Sequence, residues 1–196
     1  MDKVAVVILN WNGKDYLEQF LPTLVSCTGS DAKIYVADNG STDDSINYLK
    51  NTFPEVGIVI NDKNYGFAQG YNVALKKIEA EYFVLLNSDV EVTNGWVKRI
   101  IDLMDKDESV AACQPKLKDF YKKNYFEYAG AAGGFIDYLG YPLCRGRIFD
   151  NLEEDKGQYD DICEIFWATG ACMFVRAAVF NDLGGLDGHF FAHMEE

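Results

Sequence analysis

The chain has 196 residues, of which 48% are hydrophobic, and a formal net charge of −13. This length suits one α/β domain with a substantial core, and the composition excludes a disordered chain. The strong acidity argues against nucleic acid as a partner, because such proteins neutralise phosphates through broad basic surfaces, although a metal ion can still create a local phosphate site.

No signal peptide opens the chain, and no apolar stretch approaches the roughly 20 residues of a spanning helix, so we expect no transmembrane segment. The five cysteines lack metal-ligand spacing, which favours reduced core thiols. We therefore expect a cytoplasmic protein, and peripheral attachment at the inner face of the membrane stays open. The chain stops at Glu195-Glu196 without a helix-ending signal, which suggests a truncated chain. The oligomeric state is not predicted.

Strands and helices alternate through the first half of the chain. The first strand, residues 4–9, is a continuous apolar run, and the following helix, residues 14–27, contains Pro22, which could kink or break it. Further strands are predicted at 32–37, 56–60, 82–86 and 110–114, and helices at 41–49, 67–78 and 93–104. We expect Ser41 or Thr42 to cap the helix that begins there. This alternation predicts an α/β fold with a mostly parallel central sheet flanked by helices.

The second half has a different pattern. Residues 116–161 are rich in Tyr, Gly and charge without periodicity, which predicts irregular structure with hairpins over one end of the sheet. Strands are predicted at 163–168 and 171–175, followed by a short helix at 177–183 that ends at two glycines.

Polar residues follow several of the predicted strands, and ligands of open α/β sheets lie at the carboxyl ends of strands. The strand at 82–86 ends in Asn87, Ser88 and Asp89. A carboxylate there can hold a divalent cation through oxygen, and such a cation commonly neutralises phosphate. The alternative is a solvated β-turn.

Two further segments have both a functional and a structural interpretation. Asp38 begins an Asp-Asn-Gly-Ser sequence, and its carboxylate can bind a base or ribose, or the sequence can simply form a turn. Gly66 and Gly70 lie around a helix start near Asn64, where they permit close approach of an anion or tight helix–sheet packing. Asn72, inside the same helix, is expected to bond to a loop with its side chain.

Two glycine-containing segments complete the candidate residues. Gly170 interrupts a predicted strand, which often marks a ligand or a bulge. The glycine-rich, aromatic stretch 184–191 leads to Glu195 and Glu196, either of which could be a general base or a solvated surface group.

The order and spacing of these segments resemble the family 2 glycosyltransferases of the GT-A fold over essentially the whole chain. The Asn-x-Gly-Phe-Ala stretch is most similar to the bacterial rhamnosyltransferase-like members. The segments that carry the resemblance are a first strand ending in Asn10, Asp38-Asn-Gly-Ser, Asn64-Tyr-Gly-Phe-Ala, Leu85-Leu-Asn-Ser-Asp89, Ala168-Thr-Gly-Ala and Gly185-Leu-Asp-Gly-His-Phe-Phe before Glu195-Glu196.

The resemblance implies inverting transfer of a sugar, with rhamnose as a candidate, from a nucleoside-diphosphate donor to an acceptor hydroxyl in cell-surface polysaccharide synthesis. The implied donor is dTDP- or UDP-linked, the acceptor is a glycan or lipid-linked saccharide, and the cofactor is manganese or magnesium. The chain is then a single glycosyltransferase domain, residues 1–196. Residues 1–115 bind the nucleotide sugar, and residues 116–196 form the acceptor and catalytic half.

The resemblance also assigns residues. Asp38 matches the aspartate that binds the base, and Asn87 and Asp89 match the Asp-x-Asp motif, so Asp89 alone can be its charged metal ligand. Glu196 falls where the family has its catalytic aspartate, next to Glu195, and which of the two is the base stays open. The expected donor-binding residues are Asn10, Asp38, Asn64, Gly66, Asn87 and Gly170.

Two other interpretations remain. A sugar nucleotidyltransferase also uses an α/β sheet, but it would carry a glycine-rich basic loop after the first strand, where this chain has Asn10-Trp-Asn-Gly. Alternatively, the chain binds donor nucleotide without turnover because it stops at Glu196. An assay of this chain beside a longer version would separate binding from turnover.

Overall fold

The computed structural model describes residues 1–191, so Glu195 and Glu196 lie outside the described residues. It contains one six-stranded sheet, two short hairpins and five helices within that range. The strands are β1 (Asp2–Asn10), β2 (Lys33–Asp38), β3 (Gly57–Ile60), β4 (Ala80–Leu86), β5 (Ala112–Cys113), β6 (Gly134–Ile136), β7 (Pro142–Cys144), β8 (Arg147–Ile148), β9 (Asn151–Leu152) and β10 (Cys172–Arg176). The helices are α1 (Lys14–Thr28), α2 (Ser45–Thr52), α3 (Gly66–Leu75), α4 (Trp96–Lys106) and α5 (Ala177–Asp182).

The large sheet has the strand order β3-β2-β1-β4-β10-β5. Its first four strands are parallel, and β10 runs antiparallel between β4 and β5. The predicted mostly parallel α/β sheet is therefore confirmed. Because β1 to β4 point the same way, the loops that follow them meet at one edge, and β10 joins the second half of the chain to the same sheet.

Helices cover both faces of the sheet, which explains the continuous apolar runs. Side chains alternate between faces along a strand. Val6 and Ile8 of β1 belong to one core layer, which includes residues of α1 and α4, whereas Ala5 and Val7 belong to the other, which includes residues of α3 and α5. Among residues 1–191, no helix is long and apolar enough to cross a membrane.

The structure corrects three details of the predicted elements. Residues 163–168 do not form a strand, and only an isolated bridge joins Trp167 to Gly134, where the indole lies so close that a Cβ at Gly134 would overlap it. Neither Ser41 nor Thr42 caps α2, because the helix begins later, at Ser45. Pro22 does not break α1, since it is exposed and water can reach the carbonyl that loses its bond.

Residues 116–161 are irregular apart from the hairpins β6–β7 and β8–β9, as the sequence predicts. A cluster of ion pairs holds this region together. The Lys116 ammonium pairs with Asp155 at 3.1 Å and with Asp160, and Lys118 pairs with Asp155 at 3.0 Å. We refer to these four residues as the ion-pair cluster. The Asp155 side chain is only 7% exposed. Partly buried ion pairs therefore stabilise a region that has little regular secondary structure.

Candidate functional site

Asn10 and Asp38 are the last residues of two neighbouring strands and are directly paired in register. The Asn10 amide donates to the Asp38 carboxylate at 3.2 Å, and the Ser41 backbone N–H donates to its other oxygen at 3.0 Å. Asp38 is 3% exposed, and both of these donors are neutral. A carboxylate has about four acceptor positions, so Asp38 keeps capacity for a ligand N–H or O–H.

The loops that follow β1 and β2 are tied together by Asn12, which sequence reasoning did not identify. Asn12 has a φ of 51°, and its backbone N–H donates to the Ser41 hydroxyl at 2.9 Å. Its side-chain oxygen accepts from the backbone N–H groups of Thr42 at 2.7 Å and Asp43 at 3.3 Å. The Asn-Gly sequence of this loop is the signal that could have suggested a left-handed turn residue here.

The carboxylate of Asp43 fastens the same two loops. It accepts the Lys14 backbone N–H at 3.1 Å and the Ser45 backbone N–H at 3.1 Å. Burial alone would raise the pKa of Asp43, but hydrogen bonds from Ser45 and Lys14 lower it below its usual value. The first turns of α1 and α2 are therefore held by one ionised side chain.

Asn39 is a buried centre of hydrogen bonds next to Asp38, with 2% of its surface exposed. Its amide group donates to the Asn64 side chain and to the Gly66 carbonyl, each at 3.0 Å. Its oxygen accepts from Asn61 at 3.2 Å and from the Tyr65 backbone at 3.3 Å. These bonds join the ends of β2 and β3 to the start of α3. We refer to Asn10, Asp38, Asn39, Asn61 and Asn64 as the strand-end network.

The first turn of α3 meets protein rather than open space. The Phe67 N–H donates to the Phe191 carbonyl at 2.7 Å, and a Cβ at Gly66, which has a φ of 75°, would overlap that oxygen. Gly70 packs against β1, since a Cβ there would lie 2.9 Å from the Leu9 side chain. Gly70 therefore serves helix–sheet packing, while contact of Gly66 with a donor stays a prediction.

Asn87 and Asp89 follow β4 on the other side of β1. Asn87 is half-buried, and its N–H donates to the Ala171 carbonyl at 3.0 Å, which brings Gly170 beside this strand end. Asp89 is exposed, and its carboxylate makes no hydrogen bond or ion pair within residues 1–191. Neighbouring strands lie about 4.8 Å apart, so the ends of β2 and β4 are separated by about 10 Å.

A metal ion at this edge would need ligands beyond the described protein groups. Among residues 1–191 no three His, Cys, Asp or Glu side chains cluster to hold a cation. Asp89 is a single exposed carboxylate. Magnesium commonly binds through one or two carboxylates together with substrate phosphates and water. The residues present therefore fit a cation that is shared with a phosphate ligand, and they do not form a complete metal site.

Solved structures define the class of this domain. The chain resembles Staphylococcus aureus TarS 1–349 in complex with UDP, with a TM-score of 0.66, 17% identity, and coverage of 97% of this chain and 52% of that one. It also resembles the mannosyltransferase PcManGT from Pyrobaculum calidifontis in complex with GDP-Man and Mn²⁺, with a TM-score of 0.62, 18% identity, and coverage of 95% and 48%. This likeness and the sheet topology define a GT-A fold.

The sequence then defines the family. The model of glycosyl transferase family 2 matches residues 5–184, and the chain belongs to this family. An N-acetylglucosaminyl-diphospho-decaprenol L-rhamnosyltransferase of Mycobacterium tuberculosis is 22% identical over 210 residues, covering 100% of this chain and 68% of the relative. An uncharacterized glycosyltransferase of Haemophilus influenzae is 23% identical, covering 91% and 53%. The chain thus spans about half to two thirds of these relatives.

Proposed function

We propose that this domain binds a nucleoside-diphosphate sugar at the carboxyl edge of its sheet and transfers the sugar, with inversion, to an acceptor hydroxyl in cell-surface glycan synthesis. The observation that carries the proposal is the buried Asp38 carboxylate, held by Asn10 and Ser41 with acceptor positions left for a base or ribose. Family membership favours sugar transfer over the nucleotidyltransferase alternative.

The proposed donor-binding residues lie at two strand ends, and each end would bind a different part of the donor. Asp38 and Asn10 would hold the nucleoside beside β1 and β2, and Asn87 and Gly170 would lie nearer the diphosphate and sugar. Asn64 would act indirectly, because its side-chain oxygen is engaged by Asn39 and by the Gly66 N–H at 2.8 Å. The separation of about 10 Å between the two strand ends suits a ligand as long as a nucleoside diphosphate.

The chemistry requires a base and charge stabilisation. The acceptor oxygen attacks the anomeric carbon as its proton passes to Glu196 or Glu195, and the bond to the diphosphate breaks. Both glutamates lie outside the described residues, so their role rests on the family resemblance. A manganese or magnesium ion on Asp89 would stabilise the charge that develops on the departing diphosphate as a Lewis acid. Mn²⁺ accompanies the donor in the PcManGT structure.

The donor and acceptor are proposed from the relatives. The mycobacterial relative is named as an L-rhamnosyltransferase that acts on a diphospho-decaprenol-linked sugar. A teichoic acid polymerase of Staphylococcus epidermidis also matches part of the chain. We therefore propose a dTDP- or UDP-linked donor, with rhamnose first among the sugars, and a glycan or lipid-linked saccharide as acceptor. Residues 1–115 would bind the donor, and residues 116–196 would face the acceptor.

A thermal-shift panel of nucleotides and nucleotide sugars, with and without manganese, tests donor binding. A ligand that binds the folded protein raises its melting temperature. The increase grows with the logarithm of the ratio of the ligand concentration to Kd. We expect dTDP or UDP compounds to stabilise the wild type more in manganese than without it, and Asp89→Asn to remove the manganese increment. Equal stabilisation by all nucleotides, or none, would contradict the proposal.

Turnover tests the assignment of the base. We expect Glu196→Gln to lower the transfer rate by about 10²–10⁴-fold while the nucleotide affinity stays nearly unchanged, because a general base acts on the acceptor. Glu195→Gln is assayed beside it, and the larger loss of rate at unchanged nucleotide affinity identifies which of the two glutamates is the base. Parallel loss of rate and nucleotide affinity in Glu196→Gln, measured by calorimetry, would reject this role. If the wild type binds nucleotide but transfers nothing, the chain is a donor-binding domain without turnover.

A further inference from the structure

Residues 185–191, which we call the docking segment, are held to α3 by one side chain. Asn72 is 7% exposed, its amide donates to the Leu186 carbonyl at 2.8 Å, and its oxygen accepts the Leu186 N–H at 2.9 Å. The amide therefore pairs with both backbone groups of one residue, as a neighbouring strand would. The bonds span 114 positions of sequence. This confirms the expectation that Asn72 binds a loop.

The contact extends along about two turns of α3. Helix residues three apart lie on one face, so the positions 66, 69 and 72 share a face. They meet the docking segment in reverse chain order, which means that the segment runs antiparallel to the helix. The contacts are Gly66 and Phe67 with Phe191, Gln69 with Gly188, and Asn72 with Gly185 and Leu186.

Glycines at both ends of this contact leave no room for a side chain. Gly185 has a φ of 88°, and a Cβ there would overlap the Asn72 side-chain oxygen. Gly66 has a φ of 75°, and a Cβ there would overlap the Phe191 carbonyl. Positive φ also disfavours any residue with a Cβ. The close approach of the docking segment to α3 therefore depends on these two glycines as well as on Asn72.

We propose that Asn72 is a positioning residue that fixes the docking segment on α3, and with it the point from which the chain continues to Glu195 and Glu196. Three residues lie between Phe191 and Glu195, and the four Cα–Cα steps that join them span at most about 14 Å. The start of α3 is itself held by Asn39 of the strand-end network. Asn72 therefore links the donor side of the site to the segment that leads to the proposed base.

The consequence for transfer rests on the proposed function. Misplacing a reacting group by about 1 Å can lower a rate by about 100-fold. A residue that only stabilised the fold would instead change the population of active enzyme without separating kcat from nucleotide binding. The two roles therefore differ in what a substitution does to a folded protein saturated with donor.

The experiment compares wild type, Asn72→Leu, Asn72→Asp and the control Asn47→Leu. Asn47 is an exposed asparagine of α2 whose side chain bonds to Asp44 at 2.8 Å. Hydrogen exchange at the Leu186 and Phe67 amides reports docking, and kcat with the UDP dissociation constant reports transfer and donor binding. Amides of β1 and β4 report whether the fold is intact.

In Asn72→Leu we expect faster exchange at both reporter amides, unchanged exchange in β1 and β4, and a kcat lower by about 10–100-fold, with the UDP dissociation constant within about 2-fold of wild type. Asn72→Asp keeps the acceptor for the Leu186 N–H and loses the donor to its carbonyl, so we expect intermediate values. It also serves as the test if the leucine variant does not fold. Asn47→Leu should behave as wild type.

Unchanged exchange at the Leu186 and Phe67 amides would overturn the proposal, and so would faster exchange with unchanged kcat. If the wild type transfers no sugar, the proposed function fails separately. The exchange comparison then decides alone, with faster exchange supporting the role of Asn72 in docking and unchanged exchange overturning it.

Discussion

The strand-end network and the ion-pair cluster hold irregular backbone in two different ways. In the network, Asn10, Asn39 and Asn61 use neutral amides that are almost fully buried, and Asn64 is half-buried. In the cluster, Lys116 and Lys118 converge on Asp155, and the outer partner Asp160 is 69% exposed. The junction around Asn39 is thus held by amide groups that do not titrate, whereas residues 116–161 are held by charged groups that do.

This difference has a physical cause. A buried amide pair avoids the cost of removing full charges from water, and Asp38 is the one carboxyl group of the strand-end network. The attraction between the two charges of an ion pair is stronger where the pair is partly buried. The stability that it contributes depends on pH and salt. The two regions should therefore respond differently to mutation, acid and ionic strength.

The largest expected effect is that of removing the centre of the strand-end network. In Asn39→Leu, the side chains of Asn61 and Asn64 and the backbone groups of Tyr65 and Gly66 lose a partner. Buried polar groups left unpaired cost about 1–3 kcal/mol each, so we expect a loss on the order of 4 kcal/mol in the free energy of unfolding.

Urea unfolding at neutral pH measures this loss. The exposed Asn47→Leu on α2 is the matched control and should change the free energy by less than about 0.5 kcal/mol. A loss below about 1 kcal/mol in Asn39→Leu would mean that water replaces these bonds without cost, and the contrast between the two regions would fail.

Acid should act on the ion-pair cluster. Burial of Asp155 alone would raise its pKa, but hydrogen bonds from Lys118, the Gly157 N–H and Lys116 lower that pKa to about 2. The unfolded carboxyl has a pKa of about 3.9, so the stabilisation is complete above that value and is lost as the pH falls towards 2. The shift corresponds to about 2 kcal/mol, roughly half of which is lost by about pH 3.

Urea unfolding of wild type and Asp155→Asn at about pH 6 and about pH 3 tests this. The difference in unfolding free energy between the two pH values should be smaller in the variant by about 1 kcal/mol. An identical pH dependence in the two proteins would show that Asp155 does not carry this effect.

The smallest effect is expected at the exposed edge of the cluster. Asp160→Asn breaks an ion pair with Lys116 whose aspartate is 69% exposed, so we expect a loss below about 1 kcal/mol. Salt at about 1 M should remove the difference from wild type, because screening acts on exposed charges. The loss in Asn39→Leu should persist at the same salt concentration. If Asp160→Asn lowered the free energy of unfolding equally at low and high salt, the loss would not come from an exposed ion pair that salt can screen.

Most of the central sheet could be predicted because its strands are buried on both faces. Residues 4–9 and 82–86 are continuous apolar runs, and such runs are typical of central strands that are covered on both faces. Residues 163–168 have similar composition, but Trp167 packs over Gly134 instead of pairing along a strand. Composition does not specify which neighbour a short apolar run will meet, so this prediction was wrong.

Some residues of the candidate site could be predicted because they directly follow predicted strands. Asn10, Asp38, Asn87 and Asp89 follow strands, and strand ends of a parallel sheet meet at one edge. Asn39 could not be identified in the same way, because an asparagine amide serves equally well in a turn, at a helix start or in a buried contact.

The sequence by itself determined the alternation of strands and helices, the family, and the polar residues that follow each strand. Tertiary structure alone decided their partners: that Asn39 lies between three loops, that Ser41 binds Asn12 rather than capping α2, and that Asn72 holds a segment 114 positions away. The reason is that hydrophobic periodicity repeats within a few residues and can be read locally. A single hydrogen bond has no period and depends on where the folded chain brings its partner.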